Sequence, residues 1–131
     1  MLKTKSIIAP IEPSDGIRIS VMSRHTLNDG ITPHPKINAE NYGTWDKALA
    51  PPETLIGDYY KRKLPWEQFE IKYQEYIRQP NLKTQVQDLA QRSLETNITI
   101  PCIEDSPEHC HRKLLAKECQ KYYPELILEI K

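Results

Sequence analysis

The stretch "NITIPCIEDSPEHCHRKLLAKECQKYYPELILEI", residues 97 to 130, constrains the fold more than any other part of the chain. Ile98, Ile100 and Cys102 alternate as in a strand, and Leu114, Leu115, Cys119 and Tyr122 then share one helical face. The run "LILEI" reads as a second strand. A helix between two short apolar strands implies a right-handed crossover, which sets the strands parallel in one sheet. The expected fold is therefore α/β: a single small domain with a short, mainly parallel sheet and helices packed on its faces.

The upstream elements fit that plan. "GIRISVM", residues 16 to 22, alternates Ile17, Ile19 and Val21 with Arg18, Ser20 and Met22, the period of a half-buried strand. "KSIIA" is expected to be a short edge strand, with Pro10, Pro13 and Gly16 marking the turn between the two. From His25 to Tyr42 the chain reads as loop, broken by Asn28, Asp29, Gly30, Pro33 and Pro35. Three helices follow: "PPETLIGDYYKRK", "LPWEQFEIKYQEYIR" and "NLKTQVQDLAQRSLE", the last with Asn81 as its cap. The aromatic stripe Trp66, Phe69, Tyr73 and Tyr76 is expected in the core. Pro101 argues that the strand at 98 to 103 lies near an edge of the sheet or is ending there.

At 131 residues the chain fits one domain, and roughly two thirds of its unfolded surface can be buried. Eighteen basic and eighteen acidic residues cancel, so no global field draws it to nucleic acid or to an anionic membrane. "KRK" at 61 to 63 is too short a basic run to argue for nucleic acid. No stretch reaches the about eighteen apolar residues of a membrane span, and the first residues lack the apolar core of a secretory signal. Three cysteines form no disulfide framework, which fits reduced thiols and a cytoplasmic location.

Two polar clusters fall at carboxyl ends of predicted strands, where ligands gather in open α/β sheets. Ser23, Arg24 and His25 follow one strand; Cys102 and Glu104 end another. Ser106 is then expected to cap, and Pro107 to open, a helix containing Cys110, His111 and Arg112. Were those strands neighbours, the clusters would share a crevice. The helix N-terminus favours an anion. Arg24 and Arg112 offer the paired donors that match a carboxylate or phosphate, with Ser23 and Cys102 beside them, although either arginine is equally suited to bridging Glu104 or Glu108.

Cys110 is the candidate nucleophile, because a helix dipole and a neighbouring cation favour its thiolate; the alternative is a small buried hydrophobe, the role expected for Cys119. His111 is the candidate proton carrier or else a structural hydrogen-bonding group. Glu104 can orient His111, act as a base, or pair with Arg112. No metal and no cofactor are expected. Cys102, His109, Cys110 and His111 carry suitable atoms, but their spacing is no familiar zinc pattern, and consecutive helical residues diverge by ~100°.

"CIEDSPEHCHRKLLAKE" resembles the signature of the domain of unknown function 488 family, in which a strand leads into Cys-x-Glu and Pro-Glu-His-Cys-His-Arg opens a helix. "WDKALAPPETL" and "WEQFEIKYQEY" resemble stretches of one branch of that family, so the similarity spans roughly residues 17 to 123. It carries the pattern onto Cys102, Glu104, Pro107, Cys110, His111 and Arg112, and more loosely onto Arg24. Pro101 stands where the family has an apolar residue, and "VMSRH" lacks the acid of its Asp-x-Arg pattern. The resemblance implies a small α/β fold with a parallel-type sheet and no established reaction. Two classes of function remain: an enzyme acting on an anionic, phosphorylated or nucleotide-like small molecule, or a non-catalytic ligand-binding or interaction module using the same crevice.

Overall fold

A computed structural model describes residues 1–27 and 29–131. Its centre is a five-stranded sheet formed by β1 (Leu2–Ser6), β2 (Ile17–Ser20), β3 (Thr44–Trp45), β4 (Ile98–Cys102) and β5 (Leu128–Ile130), in the spatial order β3-β2-β4-β1-β5. Every pairing is parallel. Four helices, α1 (Glu53–Tyr60), α2 (Trp66–Ile77), α3 (Pro80–Glu95) and α4 (His111–Tyr122), complete the α/β domain.

Register explains how one sheet can have two unlike faces. Leu2 lies level with Ile98 and Leu128, and Ile98 in turn with Ile17. From this row and its alternate neighbours, Leu2, Ile19, Val21, Ile98 and Ile100 enter a single core that also takes the buried residues of all four helices. The next row, Lys3, Thr99 and Arg18, points the other way and meets Asp15, which is 1 % exposed. Asp15 accepts from Lys3 at 3.0 Å, from Lys5 at 3.1 Å and from Arg18 at 2.6 Å. Its main-chain oxygen accepts from Thr99 Oγ1 at 2.7 Å.

Gly16 makes the turn from Asp15 into β2 possible. Its φ is +63°, and a Cβ there would lie 2.1 Å from the carbonyl oxygen of Asn97. Only glycine tolerates both.

Three expectations about the elements are corrected. The first strand is not at an edge: it begins at Leu2 and lies between β4 and β5. Lys3 and Lys5 disguised it, because buried lysines that face a buried carboxylate read as surface residues in the sequence. The strand at 98 to 102 is likewise internal rather than near an edge, although it does end one residue after Pro101, the other outcome that proline allowed. Ile98 N–H donates to Met1 on the β1 side, so by alternation the missing donor of Pro101 falls on the β2 side, beyond the last β2–β4 pair, Arg18 and Thr99. Asn81 does not cap α3; Gln79 precedes the helix and Pro80 is its first residue.

The aromatic stripe of α2 is mostly core. Phe69 and Tyr73 are buried, and the Tyr73 and Tyr76 hydroxyls donate to Leu49 and Ala48 carbonyls at 2.6 and 2.8 Å. The long loop after His25 is pinned by a bridge between Thr26 and Pro33. Asn28, one of the residues expected to break its period, lies outside the described residues. Among the described residues no helix is long and apolar enough to cross a membrane.

Candidate functional site

β2 and β4 are parallel neighbours, so the segments leaving their carboxyl ends emerge side by side. Beyond Cys102 the chain turns through residues 103 to 109, where Ser106 Oγ accepts from the Glu108 N–H at 3.2 Å and the Pro107 carbonyl from the Cys110 N–H at 3.3 Å. The helix therefore starts later than its Ser-Pro pair implies: Cys110 is the residue preceding α4, in an extended conformation with φ −137° and ψ 139°. Because Cys110 stands outside the helix, the divergence of consecutive helical residues does not separate it from His111. The Sγ atoms of Cys102 and Cys110 and a ring nitrogen of His111 all lie within 4.8 Å of one another. These three residues are 4 %, 2 % and 5 % exposed.

Each member is held by the chain around it. His111 Nε2 lies 2.6 Å from the Val21 carbonyl, which can only accept, so Nε2 carries a hydrogen and Nδ1 is the nitrogen turned toward Cys102 Sγ at 3.9 Å. The Tyr73 ring packs edge-on against the imidazole. The two thiols share a hydrogen bond that divides them. A bond from Cys110 lowers the Cys102 thiol against the penalty of burial, helped by the Arg112 charge and the Ile103 and Glu104 amides. The same bond, with burial, pushes Cys110 well above the ordinary thiol value. Of the pair, Cys102, the residue that sequence reasoning had assigned to binding, is thus the more acidic thiol and Cys110 the less acidic one.

Arg112 is fully buried beneath this cluster. Its Nε and Nη2 donate to the main-chain oxygen of Lys131 at 3.2 and 3.0 Å, and its Nη1 to the Glu104 carbonyl at 2.7 Å and to Cys110 Sγ at 3.5 Å. It meets Glu104 through the main chain rather than the carboxylate. The Glu104 carboxylate accepts from the Tyr60 hydroxyl, and both ring nitrogens of His111 face other groups, so Glu104 does not orient His111.

Above the cluster opens a cavity of about 740 Å³. Six of the seven residues singled out from the sequence line it: Ser23, Arg24, Cys102, Glu104, Cys110 and His111. Ser23 Oγ donates to the Pro51 carbonyl at 2.7 Å, which fixes the bend after β2. Arg24 stands near Asp29, whose carboxyl is held low mainly by hydrogen bonds from Thr32 and Ile31, with a smaller part from the Arg24 charge. His25 is elsewhere, wedged between Tyr42 and Trp45 with its Nε2 2.6 Å from Ser20 Oγ.

Tyr59, Tyr60, Trp66 and His109 complete one wall, with Trp66 and His109 stacked at 5.0 Å between ring centroids. Sequence periodicity sent Trp66 to the core and gave no sign that the face of α2 runs past the core into a cavity. The family described as the active DUF488-N3 subclade matches residues 2–123. The chain belongs to the DUF488 family. No curated protein and no solved structure matches it. In this DUF488 domain, the cavity joins two strand ends, a paired thiol and an aromatic wall within one enclosure.

Proposed function

We propose that this DUF488 domain is an enzyme that binds a small anionic molecule, phosphorylated or nucleotide-like, in the cavity and acts on it at the thiol–imidazole floor. One observation carries the reading: a cavity of about 740 Å³, the size of a small-molecule site, has Arg24 on its wall, aromatic rings beside it and Cys102, Cys110 and His111 at its base. Arg24 supplies the paired donors for the anionic group. Tyr59, Tyr60 and Trp66 offer flat apolar surface for a ring. Cys102, Cys110 and His111 supply groups able to attack or to move a proton, and Glu104 with Tyr60 forms a polar pair on the same wall. The description of the matched family as an active subclade agrees with this reading.

A second reading, a binding module without turnover, is favoured by the commitments of Arg112 and Glu104 to the protein itself and by the burial of both thiols. The test uses pyrophosphate and a panel of nucleoside phosphates as probes, with thermal shift for binding and product analysis for turnover. The enzyme reading expects binding that Arg24→Gln weakens, and turnover that Cys102→Ala and His111→Gln abolish while binding persists. Binding without turnover of any probe that binds supports the module; no effect of Arg24→Gln on binding removes the anion-site reading from both.

A further inference from the structure

We infer that Cys102, Cys110 and His111 form a three-donor site for a thiophilic divalent cation of the zinc type, whose fourth coordination position opens into the cavity. The nature of the group filling that position rests on the proposed function; the three-donor site does not.

Geometry comes first. Around one tetrahedral zinc ion, Zn–S bonds of about 2.3 Å and Zn–N bonds of about 2.0 Å set donor atoms about 3.5 to 3.8 Å apart. Cys102 Sγ and His111 Nδ1 are already 3.9 Å apart, and no pair among the three donors exceeds 4.8 Å. Closure needs at most about 1 Å of side-chain adjustment on that scale. The donors come from the end of β4, the residue before α4 and the first residue of α4, positions fixed by the sheet and by the Pro107–Cys110 turn.

The surroundings then match what a ligating set requires. An imidazole ligand is normally held through its other nitrogen, which fixes both the ring and the tautomer. Here Nε2 is bound to the Val21 carbonyl and Nδ1 faces the sulfurs. Arg112 Nη1, 3.5 Å from Cys110 Sγ, is an outer donor to a ligating sulfur, and its charge favours that sulfur as a thiolate once the ion, whose two charges balance two thiolates, is bound. Thiolates select zinc-type ions over magnesium or calcium. Loading exchanges the thiol protons for metal–sulfur bonds and releases those protons to solvent, with no change of oxidation state.

The number of donors decides the kind of site. Structural zinc is closed by four protein ligands, whereas three with one open position mark a site that takes water or substrate. Among the described residues the cluster has three members, and all three line the cavity. The side open to an incoming group is therefore the cavity side.

The test titrates the metal-stripped, reduced full chain with Co²⁺, then displaces it with Zn²⁺. The expected result is one equivalent of cobalt giving sulfur-to-cobalt charge-transfer bands and the visible bands of four-coordinate cobalt, bleached by Zn²⁺. Cys102→Ser or Cys110→Ser should weaken uptake at least tenfold, whereas Cys119→Ser should leave it unchanged. Absence of these bands in the folded wild type, or their persistence in Cys102→Ser, overturns the site. Should the serine variants fail to fold, the wild type decides: Zn²⁺, but not Mg²⁺, should protect the Cys102 and Cys110 peptides from iodoacetamide, and unchanged labelling of both overturns the inference. Anion binding without cobalt uptake removes the metal site and leaves the proposed function; cobalt uptake without anion binding does the reverse.

Discussion

The guanidinium of Arg112 holds the main-chain oxygen of Lys131 with two nitrogens, Nε at 3.2 Å and Nη2 at 3.0 Å, and so joins the start of α4 to the residue that follows β5. A lysine keeps the charge but cannot span this arrangement while also reaching Glu104. Arg112→Lys should therefore cost about 2 to 3 kcal/mol, the value of one or two buried charge-assisted hydrogen bonds. Urea denaturation with and without a bound probe checks this. An unchanged midpoint combined with weaker probe binding would return Arg112 to the ligand role expected from the sequence.

Asp15 gives the fold an acid-sensitive component. Burial alone would raise its carboxyl, but the Glu12 amide and the Lys3 and Lys5 ammonium groups outweigh that and hold it at about 2, against an ordinary 3.8. A depressed folded value means that the stabilisation is complete above about pH 4 and disappears as pH falls through about 2, a loss of about 2 kcal/mol. Asp15→Asn should be less stable at pH 7 by about 3 kcal/mol, since it removes the buried carboxylate that three cations share, and its stability should fall less between pH 4 and pH 2. Denaturant midpoints of both proteins across that range are the measurement.

The three thiols should separate in the metal-free protein. Cys102 and Cys110 line the cavity, whereas Cys119 lies in the core beneath α3, its thiol pushed up to about 12 by burial and directed at the Val86 carbonyl. Brief iodoacetamide treatment followed by peptide mapping should find Cys102 labelled first, then Cys110, with Cys119 intact until the protein unfolds. The sequence made Cys110 the candidate nucleophile; the bond it shares with Cys102 favours Cys102 instead. Early labelling of Cys119 would show that the core opens more readily than the cavity admits reagent.

Trp66 should report on the cavity. It lines the wall, while Trp45 donates its indole N–H to the Met22 carbonyl at 2.7 Å outside it. In a Trp45→Phe background, a probe entering the cavity should change the emission of Trp66, and Trp66→Phe should abolish the change without preventing binding. A change that survives in Trp66→Phe and vanishes in Trp45→Phe would move the binding site to the other side of β2.

Periodicity and spacing made much of this legible. Ile17, Ile19 and Val21, then Ile98 and Ile100, carried the alternation of strands with one apolar face, and the strand-helix-strand order at the end of the chain specified parallel strands of one sheet, which flank β1 on either side. That brought Arg24 and Cys102 to one edge of the sheet. What escaped were features set by partners far away in sequence. Lys3 and Lys5 look exposed until Asp15 is known to face them, and Pro101 looks like an edge signal until it is known which neighbour its nitrogen faces. Ser106 and Pro107 make a plausible helix start, but the turn they form runs on to Cys110 before α4 begins, a delay of four residues that no propensity registers.

Pro101 links architecture to capacity. Had position 101 an amide hydrogen, β2 and β4 would have one more rung available between them, and their carboxyl ends would tend to zip together. With proline there the two strands part after Thr99, and the carbonyl of Val21, just past the end of β2, meets the imidazole of His111. The cavity thus opens beyond the point where Pro101 offers β2 no main-chain donor. Pro101→Val should trade volume for cohesion, yielding a more stable domain with less room above its cysteines.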